Sequence, residues 1–509
     1  SMMLGVTAFV TTDIAPVPLL WVIPLSLYLF SFVIVFSRSE RLPDPIRRAM
    51  VFALPAAMGL LVFTVLIHMR SPLWLLILLH LFGFFVVAMV LHGELARDRP
   101  PARHLTEFYL WVAVGGVLGG VFNALLAPMI FHSVVEYPLA VVLACLFLPP
   151  LFGREEEGTV RRVRWLGPRS LDLIVPLAFG LAVGLLAWAG WSLGAIWGRV
   201  AFLILVALAT GLCLYFAYVS NRPIRFGLSI AALLVVGTLM GGLPALYGDR
   251  SFFGVYKVIS NEQAGYHLLE VGNTNHGAQV FGVTPPEPTT YHHRTGPIGQ
   301  LFDALPNEDV TSRTAILGLG TGSMACYNKP GQRMTFYEID PLVERIARDP
   351  NLFTYLRDCP GESEVALGDA RLKMAEAPDA EYGVIVADAF NSDAVPVHLL
   401  TREAVDLYLS KLRSDGVLVF HVTNRYLELE PVLGTLAQNR GLSCYGQYDL
   451  QTRNIPFKTE SHWVVMARED TDLGSVPDDQ RWHPCFRKDG SDGVWTDDFS
   501  NLLSTFNWR

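Results

Sequence analysis

The first 247 residues of this 509-residue chain contain no lysine and break into long apolar runs that carry no charge. Such runs cover 14–37, 49–69, 71–93, 108–135, 137–153, 173–198, 200–221 and 226–248. A helix needs about 20 mostly apolar residues to cross the hydrocarbon of a bilayer. The pattern therefore predicts an α-helical multi-pass membrane domain over 1–247, with eight spans and lipid as a partner. A cleaved leader accounts for one such run, not eight. Because the chain starts at Ser1, its native start is expected to lie upstream.

Arginine sets the expected orientation. The connections 38–48, 97–103, 154–169 and 222–225 hold 14 arginines, while the alternate connections hold only Arg70 and Arg199. Arginine-rich connections face the cytoplasm, which places Ser1 outside and, with eight spans, residue 248 outside as well. Polar residues at the span edges (Asp13, His68, His80, His92, Glu94, Glu107, Asn123, His132 and Glu136) read mostly as interfacial. Gly115-Gly116-Val117-Leu118-Gly119-Gly120 reads as a place where helices approach closely, not as a phosphate loop.

Charge separates the two halves. Residues 1–247 carry 16 Arg against 11 Asp+Glu, and 248–509 carry 23 Lys+Arg against 36 Asp+Glu. That division excludes a single globular domain, a disordered chain and a general nucleic-acid binder. The six cysteines form no CxxC and no metal-ligand spacing; they read as free thiols, and no metal is expected.

Residues 248–296 read as a small β-hairpin domain of short alternating runs with Gly, Asn and Pro between them. Over 297–509, strand-like runs at 314–318, 333–339, 383–388, 416–422 and 462–467 alternate with helical runs at 341–348, 401–413 and 431–440. This predicts an α/β Rossmann-like domain of the class I methyltransferase type, whose ligand sits outside the carboxyl ends of the strands. Three strand ends there carry polar chemistry. Gly318-Leu319-Gly320-Thr321-Gly322-Ser323 allows a ligand to approach the backbone. Glu338, 20 residues after Gly318, is spaced to accept from two ribose hydroxyls. Asp369 closes a strand and could accept from an adenine amino group, and Asp388 ends the apolar Val384-Ile385-Val386-Ala387, where an acid is costly unless it is paired or faces a cleft.

On these residues, with Tyr291-His292-His293, the stretch 251–467 resembles the spermidine synthase (polyamine aminopropyltransferase) family. The first half resembles its membrane-fused subgroup, through Asp13–Leu25, His92–Arg97 and Phe108–Leu110. The resemblance implies an aminopropyl transfer from decarboxylated S-adenosylmethionine to a polyamine such as putrescine. It implies Asp388 as general base and Tyr291 beside the transfer point. Gly318, Gly320, Thr321, Gly322, Glu338 and Asp369 would hold the donor, and Gln279, His292 and Asp393 the acceptor. A homodimer, a cytoplasmic (inner) membrane location and, from donor supply, a cytoplasmic catalytic half also follow from it.

The resemblance has one departure at the donor. Family members usually have Asp in the glycine loop, where this chain has Thr321. That loss of charge admits intact S-adenosylmethionine, and with it methyl or aminocarboxypropyl transfer. A polyamine sensor or transporter without turnover is the non-enzymatic alternative.

Overall fold

The computed structural model describes residues 1–11, 20–37, 44–67, 69, 71–149, 168–191, 195–240, 245–272, 274–306, 308–389, 396–453, 455–486 and 494–506. Asp13, His68 and Asp393 lie outside them. The chain divides into two compact units, Ser1–Leu243 and Pro244–Arg509.

The first unit is helical. Its helices are Met2–Phe9 (α1), Val22–Phe36 (α2), Asp44–Leu66 (α3), Leu73–Arg97 (α4), Leu105–Val121 (α5), Ala127–Ile130 (α6), Glu136–Leu146 (α7), Pro168–Trp191 (α8), Ala195–Tyr218 (α9) and Pro223–Met240 (α10). Among the described residues, five stretches are long and apolar enough to cross a membrane: Arg48–Leu66, Leu73–Arg97, Ala102–Ile130, Ser170–Gly190 and Gly198–Tyr218. Val22–Phe36, Glu136–Leu146 and Pro223–Leu239 are shorter apolar helices. Each of the eight runs read from the sequence overlaps one of these eight apolar stretches. In the run over 226–248 the described residues are helix up to Met240 and strand from Ala245.

Three polar residues expected at span edges have partners within the unit instead. A ring nitrogen of His80 lies 2.8 Å from the Tyr137 hydroxyl, one of His92 lies 2.9 Å from the Ser31 hydroxyl, and the Asn123 amide donates to the Ser1 hydroxyl. Partnering of this kind lets a polar side chain sit among apolar helices. The glycine block does not pack as expected. Gly115, Gly116 and Gly120 have open space where a Cβ would stand, and only Gly119 approaches another segment, at Ser1.

The second unit holds two sheets. Ala245–Arg250 (β1), Val255–Asn261 (β2), Tyr266–Val271 (β3) and Thr274–Val280 (β4) form an antiparallel sheet in sequence order. The larger sheet is built from Arg313–Leu317 (β5), Arg333–Glu338 (β6), Glu362–Leu367 (β7), Tyr382–Ala387 (β8), Leu412–His421 (β9), Ser443–Asp449 (β10), Ser461–Ala467 (β11) and His483–Pro484 (β12). Its order is β12-β10-β11-β9-β8-β5-β6-β7. The five strands from β9 to β7 are parallel, while β11, β10 and β12 add an antiparallel margin. The helices are Pro297–Ala304 (α11), Pro341–Arg348 (α12), Tyr355–Asp358 (α13), Ala370–Glu376 (α14), Arg402–Lys411 (α15) and Glu430–Arg440 (α16).

The large sheet is covered on both faces, so its central strands are apolar throughout. Every residue of β8 is buried. Ile316, Val384 and Val386 enter one core, and Ala315, Leu317 and Ile385 enter the other. Tyr256, Val258, Leu269 and Val271 of the small sheet join the first core. From β5 the chain runs outward through β6 and β7 on one side, then returns to lay β8 and β9 on the other. The strand order therefore reverses between β5 and β8, and a crevice opens where their carboxyl ends part.

The cysteines correct the sequence reading. Cys326 pairs with Cys359 and Cys444 with Cys485, leaving Cys145 and Cys213 as the free thiols among the described residues. Spacing along the chain did not reveal the pairs because each bridges elements brought together by the fold, over separations of 33 and 41 residues.

Candidate active site

The reversal point is built by two consecutive strand ends. Leu317 of β5 pairs in register with Ala387 of β8, so Gly318 and Asp388 leave the sheet side by side. The Asp388 amide donates to the Leu317 carbonyl at 2.9 Å. A Cβ on Gly318 would stand 2.5 Å from the Asp388 carbonyl oxygen, and Gly318 has φ +104°; glycine is required there.

A cavity of about 260 Å³ opens over this point. Gly318, Gly320, Glu338, Asp369, Asp388 and Tyr291 all line it, together with His276 and His398. Six of the predicted site residues thus converge on one space.

Glu338 ends β6 and is held by backbone donors. Its carboxylate accepts from the Leu319 amide at 3.0 Å and from the Asp340 amide at 2.9 Å. Burial pushes its pKa up to about 7, against the lowering effect of those two amides. A carboxylate has about four acceptor positions, so capacity remains for a hydroxyl donor in the cavity. Asp340, next to it, caps α12 by accepting from the Leu342 amide at 2.9 Å. Asp369 likewise caps α14, accepting from the Leu372 amide at 3.0 Å, and its other oxygen lies 3.4 Å from Nε2 of His398.

Asp388 is the most constrained group. Its Oδ1 lies 2.6 Å from Nδ1 of His421, and its Oδ2 lies 2.9 Å from Nε2 of His292. Burial alone would raise its pKa; the charges and hydrogen bonds of His421 and His292 outweigh it and hold the carboxyl well below the usual carboxylate range. An ionised carboxylate only accepts, so both facing ring nitrogens donate. The chain of contacts continues outward. Nδ1 of His292 lies 2.8 Å from the Ser323 hydroxyl, and Nε2 of His421 lies 2.7 Å from the Thr423 hydroxyl. Rings of Tyr291 and Trp463 each stack on His421 with centroids 4.5 Å apart. Burial lowers the His421 pKa despite the neighbouring carboxylate, and burial, then Asp388, raises that of the Tyr291 phenol.

Three other predicted residues stand apart from the cavity. Thr321 is buried, its hydroxyl turned toward Gly277, where an added Cβ would meet it at 2.6 Å. Gly322 takes a left-handed turn (φ +83°) against Leu356. Gln279 commits both ends of its amide to Thr354, donating to the hydroxyl at 2.6 Å and accepting from the amide at 2.7 Å. Sequence reasoning missed His276, His398 and His421. His421 carried a usable signal, since it ends the apolar strand β9 just as Asp388 ends β8.

No family model matches the chain. Over 127 residues it is 37% identical to a polyamine aminopropyltransferase of Vibrio vulnificus (strain CMCP6). Part of the chain is thus similar to a polyamine aminopropyltransferase. The match takes in 24% of this chain and spans only 39% of the length of that relative. Among solved structures, a probable spermidine synthase from Corynebacterium glutamicum ATCC 13032 aligns at 17% identity with a TM-score of 0.37, covering 51% of this chain and 98% of that one. Spermidine synthase from Thermotoga maritima aligns at 14% identity with a TM-score of 0.33, covering 52% and 84%.

Proposed function

We propose that the second unit transfers an aminopropyl group from decarboxylated S-adenosylmethionine to an amine of a small polyamine such as putrescine. The observation that carries this reading is the composition of the cavity. Three carboxylates, Glu338, Asp369 and Asp388, line it, and no Lys or Arg stands among its described lining residues. Such a space favours cations. The decarboxylated donor brings a sulfonium and an ammonium, and the acceptor brings further ammonium groups. The carboxylate of intact S-adenosylmethionine would meet like charge and no Lys or Arg among the described lining residues.

In this reading Glu338 accepts from the ribose hydroxyls and Asp369 lies toward the base. The acceptor amine has an unperturbed pKa near 10 and arrives protonated. Asp388, held ionised by His292 and His421, takes one proton from it as the nitrogen attacks the carbon next to sulfur. The new C–N bond forms as the C–S bond breaks, and sulfur keeps the electron pair as a neutral thioether. The product is a secondary ammonium, so one proton is released overall. No large charge develops that was absent before, so alignment of nitrogen, carbon and sulfur supplies most of the acceleration.

Incubating the full chain with donor and putrescine and following 5′-methylthioadenosine and spermidine by mass spectrometry tests the reading. Tighter binding or turnover of intact S-adenosylmethionine would overturn it.

The helical unit is read as a multi-pass anchor in the cytoplasmic (inner) membrane. If the five long and three shorter apolar helices all cross, the 14 arginines fall on one side, which supports an outer position for the second unit. The Cys326–Cys359 and Cys444–Cys485 pairs suit an oxidising compartment. Both observations favour an exterior position over the cytoplasmic one suggested by donor supply.

A further inference from the structure

The reaction as described leaves His276 without a role. Its imidazole lines the same cavity as Asp388 and Tyr291. Its Nε2 is buried and has no hydrogen-bond partner among the described residues. Buried polar nitrogens are nearly always paired, and an orphan at the wall of a cavity calls for a partner within it.

Close contacts fix the backbone at and beside His276. The Gly277 amide donates to the Asn275 side chain at 2.8 Å. Gly277 has φ +126° and rests on Thr321, while a Cβ on Gly320 would lie 3.0 Å from the His276 carbonyl. The β3–β4 hairpin is thus seated on the glycine loop, and His276 lines the same cavity as Asp388, which follows β8. Asp388 and His421 are the titratable groups whose charges reach it; burial lowers its pKa to about 4, against the raising effect of Asp388. The ring is therefore neutral near pH 7, with a lone pair to offer on one nitrogen. Ammonium and amine groups bring N–H donors, and the carboxylates alone cannot surround them on every side.

Building on the transfer reaction above, we infer that Nε2 of His276 accepts a hydrogen bond from the acceptor amine beside Asp388, making His276 a substrate-contacting residue that helps select the amine. The proton of the neutral ring then lies on Nδ1. His276 approaches the amine from the small sheet and Asp388 from the large one, so the nitrogen is aimed by two independent elements.

The test uses the full chain with decarboxylated donor and putrescine. His276→Phe keeps the ring bulk and removes the acceptor; His276→Gln returns an acceptor at similar reach. Loss of one hydrogen bond to an amine predicts a rise in the putrescine KM of about tenfold in His276→Phe. Donor affinity by calorimetry should stay within about twofold, and His276→Gln should recover part of the loss. An unchanged putrescine KM in His276→Phe overturns the inference, as does a donor affinity that falls as far as the amine KM rises. Should His276→Phe lose donor binding through misfolding, His276→Ala with added imidazole decides: recovery of the amine KM supports the contact, and no recovery overturns it. A wild-type chain that binds donor but makes no use of amines, or that binds no donor, defeats the transfer reading itself and the inference with it.

Discussion

Asp388 faces the cavity with an imidazole on each oxygen, and this arrangement makes its proton affinity adjustable. His421 contributes charge and a hydrogen bond that hold the carboxyl low. Replacing His421 by Ala should let that pKa rise, since burial then acts with less opposition. The acid limb of the kcat/KM profile for the amine should accordingly move to higher pH, measurable from pH 4 to 8. Glu338 behaves in the reverse sense. Its pKa, raised by burial to about 7, means that it loses its charge on mild acidification. Hydroxyl donors bind its ionised form, so donor affinity should fall by up to about tenfold from pH 8 to pH 6, a dependence that Glu338→Gln should abolish in calorimetry. At this scale the sequence revealed the residues that end strands with a charge. It did not reveal the orientation of Thr321, which is decided by its contact with Gly277 44 positions earlier in the chain. It also did not reveal His421, whose neighbours read as one apolar strand.

Secondary structure was legible wherever burial is complete. β8 and α12 follow their runs closely, because an all-apolar strand and an Asp-Pro helix start leave little choice. β10 escaped notice, and β7 was marked only by Asp369 closing a strand, without bounds. β7 lies at the sheet margin with alternating exposure, and β10 contains Ser, Gly, Gln and Asp; neither presents the continuous apolar pattern of a central strand. The segment that carries Tyr291 and His292 has no regular structure and is positioned by a neighbouring loop. The Thr290 amide donates to the Phe457 carbonyl at 2.6 Å, and next to it Lys458 meets Asp449 at 2.7 Å, both side chains almost fully buried. Lys458→Ala strands the Asp449 charge, which costs about 3–5 kcal/mol for a buried pair broken on one side. Thermal unfolding of the full chain should show that loss, and amine turnover should fall with it as the Tyr291–His292 segment loosens.

For the molecule as a whole, the eight apolar runs marked where apolar helices lie, and among the described residues five of these helices are long and apolar enough to cross a bilayer. The partners of His80 and His92 were not foretold, since contacts between helices depend on packing that no single run contains. The proposed exterior position of the second unit is tested by a reporter fused after Arg509: alkaline phosphatase should be active there and green fluorescent protein dark. The opposite pair of signals would restore the cytoplasmic placement.

The short turn Ser323–Tyr327 holds both the hydroxyl that touches His292 and the sulfur of Cys326, bonded to Cys359 behind it. A chemical reductant in a purification buffer would sever that tether, worth about 3–4 kcal/mol by loop entropy. It would slacken the turn that braces His292 against Asp388. Handled with dithiothreitol, the protein would look inert for want of a staple rather than for want of a substrate.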